Sequence, residues 1–248
     1  MKLILGIILF ISAEFLFAQG FDWQYSYRGQ SQSPKFFWGI NSEFAFSYQS
    51  GDINFSEEAI PCCRFRNGNG TEFKIGIVSE YWIYSGVNSL VSTFAYSNSN
   101  SIFTANPDPV YYLHDTLYTE LEFENRISKL QFSFLFKHRV NLSHLFIAGG
   151  LGIEYLSSNS YKHSERIVAS DLTFNDGTVE RIIDNGNIAT LTKILLSPEF
   201  KVGYDFNLGL GLYGSMIVGL KFNINEIADK TDWRYYSLSV GINLLKGF

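Results

Sequence analysis

The segment Phe36-Phe37-Trp38-Gly39-Ile40-Asn41-Ser42-Glu43-Phe44-Ala45-Phe46-Ser47-Tyr48-Gln49 separates into two chemical sets by parity. Phe36, Trp38, Ile40, Phe44, Phe46 and Tyr48 form one set; Gly39, Asn41, Glu43, Ser47 and Gln49 form the other. Side chains alternate across a strand but spiral around a helix, so the segment reads as a strand with one apolar and one polar face. A barrel in lipid requires such strands, apolar face outward.

The same alternation recurs along the chain. Phe73, Ile75, Ile77 and Tyr81 oppose Glu72, Lys74, Gly76 and Glu80. Between Gly86 and Tyr96, Leu90, Phe94 and Tyr96 suggest an outward face, with Val87, Val91 and Ala95 as a rival one. Leu130, Phe132, Phe134 and Phe136 oppose Gln131, Ser133 and Lys137, whereas Leu121 and Phe123 have the opposite parity. A bulge or an extracellular extension near Glu124 to Lys129 would reconcile them. Further strands are read at Leu145 to Tyr155, Lys193 to Tyr204, Leu210 to Phe222 and Tyr236 to Phe248. The total is eight, each long enough for the roughly 9–11 residues that a tilted strand needs to cross a bilayer.

Connection lengths point the same way. Long connections fall near 50–70, 98–116, 158–190 and 223–232, and short ones near 82–85, 140–144 and 205–208. Barrels of the outer membrane alternate long external loops with short periplasmic turns, and an even strand count puts both ends on the periplasmic side. The expected fold is therefore all-β: a transmembrane, antiparallel, up-and-down barrel of eight strands over residues 36–248. Gly51, Asn98, Asn159 and Ala228 are expected outside, Ser143 and Asn207 in the periplasm. In the third long loop, Asp176-Gly177 is a strong turn pair between 171–174 and 178–181, which suggests a hairpin extending the wall above the membrane.

Composition fits. Aromatics make up 17% of the 248 residues, yet charged residues also make up 17%, a mixture suited to a sheet whose two faces meet different solvents. The formal charge of -5 gives no electrostatic reason to expect nucleic-acid binding. Arg64-Phe65-Arg66 reads as a solvated loop. The start, from Met1-Lys2 through an apolar run to Ala18, reads as a secretory signal peptide over 1–18, with cleavage after Ala18. Residues 19–35 read as a short periplasmic lead, and no separate soluble domain is expected after the last strand. No Cys follows the apolar run, which argues against a lipoprotein anchor. Export to an oxidising compartment, with Cys62 and Cys63 adjacent in the first external loop, favours a vicinal disulfide over free or intermolecular thiols; strain in so small a ring is the opposing term.

On these features, the signal peptide, the dyad strands, the Gly-rich later strands and a last strand ending in Leu244 and Phe248, the chain resembles the small outer-membrane β-barrel families, especially the PorT-like and OmpA-like eight-stranded barrels. The resemblance spans roughly Phe36 to Phe248. It implies insertion by the barrel-assembly machinery, residence in the outer membrane of a Gram-negative cell, and outer-membrane lipid as the constant partner. It implies no single activity, since barrels host anchors, adhesins, transporters and lipid-modifying enzymes.

No catalytic, cofactor or metal signature stands out. The histidines His114, His138, His144 and His163 have no metal-ligand spacing. His163-Ser164-Glu165 gathers the residue types of a nucleophile, base and orienting group, but neighbouring strand residues point to opposite faces. Gly149-Gly150-Leu151-Gly152 sits inside a strand pattern, where it relieves crowding rather than cradling phosphate. Trp38, Trp82 and Trp233 are expected at the lipid interfaces, and Tyr111-Tyr112 in the second loop as a surface feature. If the apolar faces contact lipid, then Glu43, Glu72, Lys74, Glu80, Lys137, Glu154, Lys193, Glu199, Lys201 and Lys221 point into the lumen, with Glu43 and Lys74 a plausible pair. An eight-stranded barrel is just filled by its side chains, so the expected protein is a non-conducting, non-enzymatic barrel with a structural role or an interaction role in its loops. The alternatives are a surface adhesin or receptor, a secretion accessory barrel, or a lipid-modifying enzyme; an external or envelope protein partner is left open.

Overall fold

The computed structural model describes residues 35–53, 65–84, 87–105, 110–112, 115–140, 143–168, 172–188, 190–209, 211–229 and 232–248. Residues 1–34, which include the expected signal peptide and most of the expected lead, and the pair Cys62 and Cys63 lie outside the described residues.

Eight long strands close a ring: β1 (Phe36–Ile53), β2 (Phe65–Tyr84), β3 (Asn88–Ala105), β6 (Thr119–Arg139), β7 (Leu145–Ile167), β9 (Ile194–Gly209), β10 (Leu212–Phe222) and β11 (Arg234–Gly247). Each pairs antiparallel with its neighbours in chain order, and β11 returns to β1, so the barrel has no open edge at membrane level. Three short strands lie in the connections. β4 (Val110–Tyr112) and β5 (Asp115–Leu117) make a small hairpin, and β8 (Glu180–Gly186) adds to the upper half of β7.

The outward face is the apolar one. Trp38, Ile40, Phe46, Ile77, Phe94, Phe200 and Met216, for example, are all more than half exposed on it. From Phe36 to Tyr48, twelve steps at about 3.3 Å and a tilt of about 40° span about 30 Å along the axis, matching a bilayer's hydrocarbon core. Tyr48, Tyr96, Tyr155 and Tyr236 mark its upper limit; Trp38, Tyr81 and Phe136 stand near the lower one. A belt of this kind has no stable place in water, so the barrel spans a membrane.

Several expectations are corrected. Much of what reads as long loop is wall: β2 begins at Phe65, β3 continues to Ala105, β6 starts at Thr119 and β7 runs to Ile167. Asn98 and Asn159 are therefore strand residues, and Ala228 is fully buried. Phe65, expected in a solvated loop, is buried as well. In β6, of the two alternatives, the extracellular extension is the one found, and the strand runs on without a change of parity. Leu121, Phe123 and Ile127 face inward together with Lys129 and Gln131, because the interior itself turns apolar above the membrane. The bulge sits on the partner strand, where Ser128 pairs with Ser158 and Lys129 with Leu156. The Asp176-Gly177 turn is present, with Gly177 at φ 78 and Thr178 N–H donating to Asp176 Oδ1 at 3.0 Å. It closes the expected hairpin at its tip, where the Phe174 N–H donates to the Thr178 carbonyl at 2.8 Å; beyond the tip, β8 pairs with β7. Two of the three interface tryptophans are interior. Trp233 is fully buried at the top of the barrel and Trp82 nearly so at the bottom, and only Trp38 faces lipid.

Trp233 packs edge-on to Phe103 at 5.6 Å, and its indole donates to Gln49 at 2.9 Å. Trp233→Ala should therefore cost about 3–5 kcal/mol in denaturant unfolding from detergent micelles. Trp38→Ala, on the lipid face, should cost clearly less. Equal losses would contradict the burial assigned here.

Candidate functional site

The lumen is where this chain concentrates its chemistry. Its charged side chains stack in three levels, and each level holds two acids and two bases. The lowest joins Glu80, Asp205, Lys137 and Arg139 in a closed ring: Lys137 lies 3.0 Å from Glu80 and 2.9 Å from Asp205, Arg139 2.6 Å and 2.9 Å from the same two. Ser89 and Trp82 also donate to Glu80, and Ser215 to Asp205. The middle level holds Glu43 between Lys74 at 2.8 Å and Lys201 at 2.7 Å, with Glu199 3.5 Å from Lys201. The upper level is again a ring, Lys129 and Lys221 each bridging Glu72 and Glu154 at 2.8–3.3 Å. Gln131 donates to Glu72 and the Tyr235 hydroxyl to Glu154.

Neutrality within each level follows from dielectric physics. An unpaired charge in this interior would cost several kcal/mol, and a pair is tolerated only when its remaining hydrogen-bond sites are also filled. Nearly every carboxylate here meets that condition. The Oε2 atoms of Glu154 and Glu199 have no hydrogen-bond partner among the described residues; Glu154 still has Lys129 3.2 Å from that oxygen, whereas the ion pair of Glu199 with Lys201 is the longer, at 3.5 Å. Beside it a cavity of about 20 Å³ is lined by Glu43, Glu72, Lys74, Lys201 and Lys221, room for about one water molecule.

Inward glycines make the space. A Cβ at Gly241 would strike the Glu43 side chain, one at Gly152 would lie 2.6 Å from Glu199 Oε1, and one at Gly219 would crowd Ser239 and Lys201. Gly149 to Gly152 thus serve packing within β7, as their strand setting suggests.

Apolar layers close both ends. Below, Phe37, Trp82, Phe146, Tyr213 and Leu245 cluster around the lowest ring, with Lys137 Nζ 4.0 Å from the Phe146 centroid. Above, Phe65, Phe103, Phe123, Ile227, Trp233 and Tyr235 belong to one cap. The connection between β10 and β11 folds inward to complete it: Ile227 accepts from the Thr192 N–H and Leu191 bridges to Ala228.

Of the residues predicted from sequence, Glu43, Glu72, Lys74, Glu80, Lys137, Glu154, Glu199, Lys201 and Lys221 line the lumen in these levels. Lys193 does not. It precedes β9 and is exposed. Lys129, Arg139 and Asp205 were missed, although each has the inward parity of its strand: Lys129 lies at the edge of the supposed break in β6, Arg139 just before the turn read at 140–144, and Asp205 at the start of the turn read at 205–208. His114 lies outside the described residues, and the other three histidines do not converge. His138 contacts Asn88, His144 contacts the Asp205 carbonyl, and His163 packs edge-on to Phe65 at 5.6 Å. Burial there pushes the His163 imidazole below its ordinary pKa. Its neighbour Glu165 pairs with Arg181 at 2.6 Å, so His163-Ser164-Glu165 does not assemble as a relay. No group of three or more His, Cys, Asp or Glu among the described residues has the geometry to hold a metal ion.

No family model and no curated protein matches this chain. Among solved structures it is similar to Ail, the attachment invasion locus protein of Yersinia pestis, solved in complex with the heparin analogue sucrose octasulfate: 12% identity, 85% of this chain and 99% of that one, TM-score 0.36. It is similar to Neisserial surface protein A at 11% identity, 86% and 97% coverage and TM-score 0.36. It also matches the outer membrane protease OmpT from Escherichia coli at 8% identity, 86% and 96% coverage and TM-score 0.38. At such values nothing about activity passes from those proteins to this chain, and the PorT-like side of the resemblance gains nothing from them.

The middle level gives a charge-balance test. Lys74→Met leaves two carboxylates against Lys201, whereas Glu43→Gln with Lys74→Met restores one acid to one base. The single variant should lose about 3 kcal/mol in unfolding, and the double variant should recover a measurable part of it. A double variant less stable than the sum of its singles would contradict the neutral-level account.

Proposed function

We propose that this chain is an integral barrel of a Gram-negative outer membrane, with a filled, non-conducting lumen, and that its role is structural or exercised through the segments above the membrane. The observation that carries this reading is the lumen itself. Three neutral levels of paired charge stand between two apolar plugs, and three cavities lined by the described lumen residues hold only about 10–20 Å³ each, too little for a hydrated ion. The lipid-facing belt and the strand count support an outer-membrane setting, since a closed barrel is the β-solution to crossing a bilayer. The signal segment, insertion by the barrel-assembly machinery and surrounding lipid as partner belong to the same reading.

We read the protein as a non-enzyme because its reactive side chains are engaged in structural pairs rather than converging on an open cleft. That leaves the external segments as the variable surface. The strands β2, β3, β6 and β7 carry the wall well past the tyrosine ring and end in the connections where β4, β5 and β8 lie.

Purified protein in a planar bilayer should give no steady single-channel steps. Reproducible large conductance from the monomer would overturn the filled-lumen reading. Sidedness is checked separately. In a background with Cys62 and Cys63 replaced by Ser, Ser160→Cys should react with an impermeant maleimide on intact cells, and Asn207→Cys only after permeabilisation; the reverse pattern would invert the topology.

A further inference from the structure

The barrel has no edge within the membrane, but its wall acquires one above it. β8 pairs with β7 on one side and, among the described residues, with no strand on the other. All seven of its residues are exposed. The pairing pattern identifies which backbone groups face out. Ile167 N–H donates to the Val179 carbonyl at 2.9 Å, and antiparallel pairs alternate between bonded and non-bonded. Arg181, opposite Glu165, therefore turns its backbone toward β7, while Glu180 and Ile182 turn theirs toward the free edge. The Glu180 carbonyl already accepts from the Thr178 hydroxyl at 2.9 Å. The N–H and C=O of Ile182 are then the open pair at the centre of the edge, followed by a one-residue bulge at Ile183.

The side chains around this edge are of an unusual kind for their position. Ile182 is 57% exposed, Ile183 48%, Val179 53% and Val168 56%. Ser164, the partner of Ile182, lies nine residues beyond Tyr155 of the upper tyrosine ring, about 20 Å above the belt, so lipid does not cover these groups. Of the charges that usually guard a strand edge, Glu180 pairs with Lys162 at 2.7 Å and Arg181 with Glu165 at 2.6 Å; Asp184, beyond the bulge, keeps its charge and accepts from the Tyr161 hydroxyl at 2.6 Å.

We propose that the free edge of β8 is a docking site for an extended, uncharged peptide segment of another protein, with β-branched or other apolar residues at alternate positions, which adds to the sheet as its next strand. The exposed Ile182 and Ile183, with Glu180 and Arg181 already ion-paired to β7, favour an uncharged strand, and the continuity of β8 with the barrel sheet supplies a rigid template. A second copy in the same membrane is a poorer occupant. A closed two-fold dimer joins strand edges antiparallel about an axis perpendicular to the sheet. Because β8 continues the barrel wall, that axis would lie in the membrane plane and would invert the second barrel.

This inference rests on the reading that the upper segments carry the interactions, but its test does not depend on cell sidedness. The full protein in lipid nanodiscs is titrated with a fluorescein-labelled nine-residue peptide of alternating Thr and Val, and binding is read by anisotropy and by amide hydrogen exchange. Binding should be saturable and should slow exchange at the Ile182 amide. Ile182→Pro, which removes the edge donor, should weaken binding at least tenfold while the inward-bonded amides of Glu165 and Ile167 stay protected. Should that variant release β8, Ile182→Lys keeps the backbone and should weaken binding as a charged edge residue does. Absence of binding to the unaltered protein, equal binding by it and either variant, or a doubled particle mass without peptide would each overturn the proposal. The maleimide pattern on cells would stand in every case.

Discussion

A carboxylate or ammonium group inside an eight-stranded barrel has lipid beyond the wall and apolar plugs above and below, and no bulk water to return to. The requirement that each such charge find an opposite partner at its own height organises the interior. It accounts for the division into levels of two acids and two bases, and for the amides and hydroxyls of Gln131, Ser89, Ser215 and Tyr235 on the remaining carboxylate lone pairs. It accounts also for the glycines opposite Glu43 and Glu199, where any larger residue would push the charge from its partner. The partners come from distant parts of the chain. Glu80 and Arg139 are brought together only when β2, β3 and β6 lie in register, so the charge pattern reports on the whole ring of strand pairings. A strand slipped by one residue would turn its lumen charges toward lipid.

The period-two alternation made the wall legible because lipid and lumen impose opposite demands on alternate residues along every membrane strand. The segment from Phe36 to Gln49 carried that signal most clearly, and the pairing of Glu43 with Lys74 followed from its parity. What the alternation could not convey was the change of interior medium with height. Above the tyrosine ring the outer face meets water and the inner face meets the cap, so Leu121, Phe123 and Ile127 are apolar and inward where apolar had meant outward. The same reversal hid Lys129 behind an apparent break in β6. Arg139 and Asp205 escaped notice for a simpler reason, since a charged residue at a strand end, beside or within an expected turn, looks solvated. Trp82 and Trp233 were misplaced because an indole suits a lipid interface and an aromatic plug equally well, and only the fold distinguishes the two.

The upper half is built on different principles from the lower. Within the membrane the ring is closed and its backbone groups are paired around the circumference. Above it, β2, β3, β6 and β7 continue as wall, β8 joins one flank, and the β10–β11 connection folds across the opening through Ile227, Ala228 and Trp233. Among the described residues the result is a barrel filled by paired charges beneath an apolar cap, bearing an asymmetric sheet above the belt. That division fits a protein whose outer part is presented by a scaffold rather than one that passes solutes through it.

The central claim, that the lumen is a closed stack of paired charges, is tested most directly by the reactivity of its lysines. Folded protein treated with a small water-soluble acylating reagent, then mapped by mass spectrometry, should be modified at the exposed Lys162 and Lys193, while Lys74, Lys129, Lys137, Lys201 and Lys221 stay protected until the barrel is unfolded. Modification of those five at rates comparable to Lys193 in the folded state would mean that water and solutes enter the lumen, and would contradict the account.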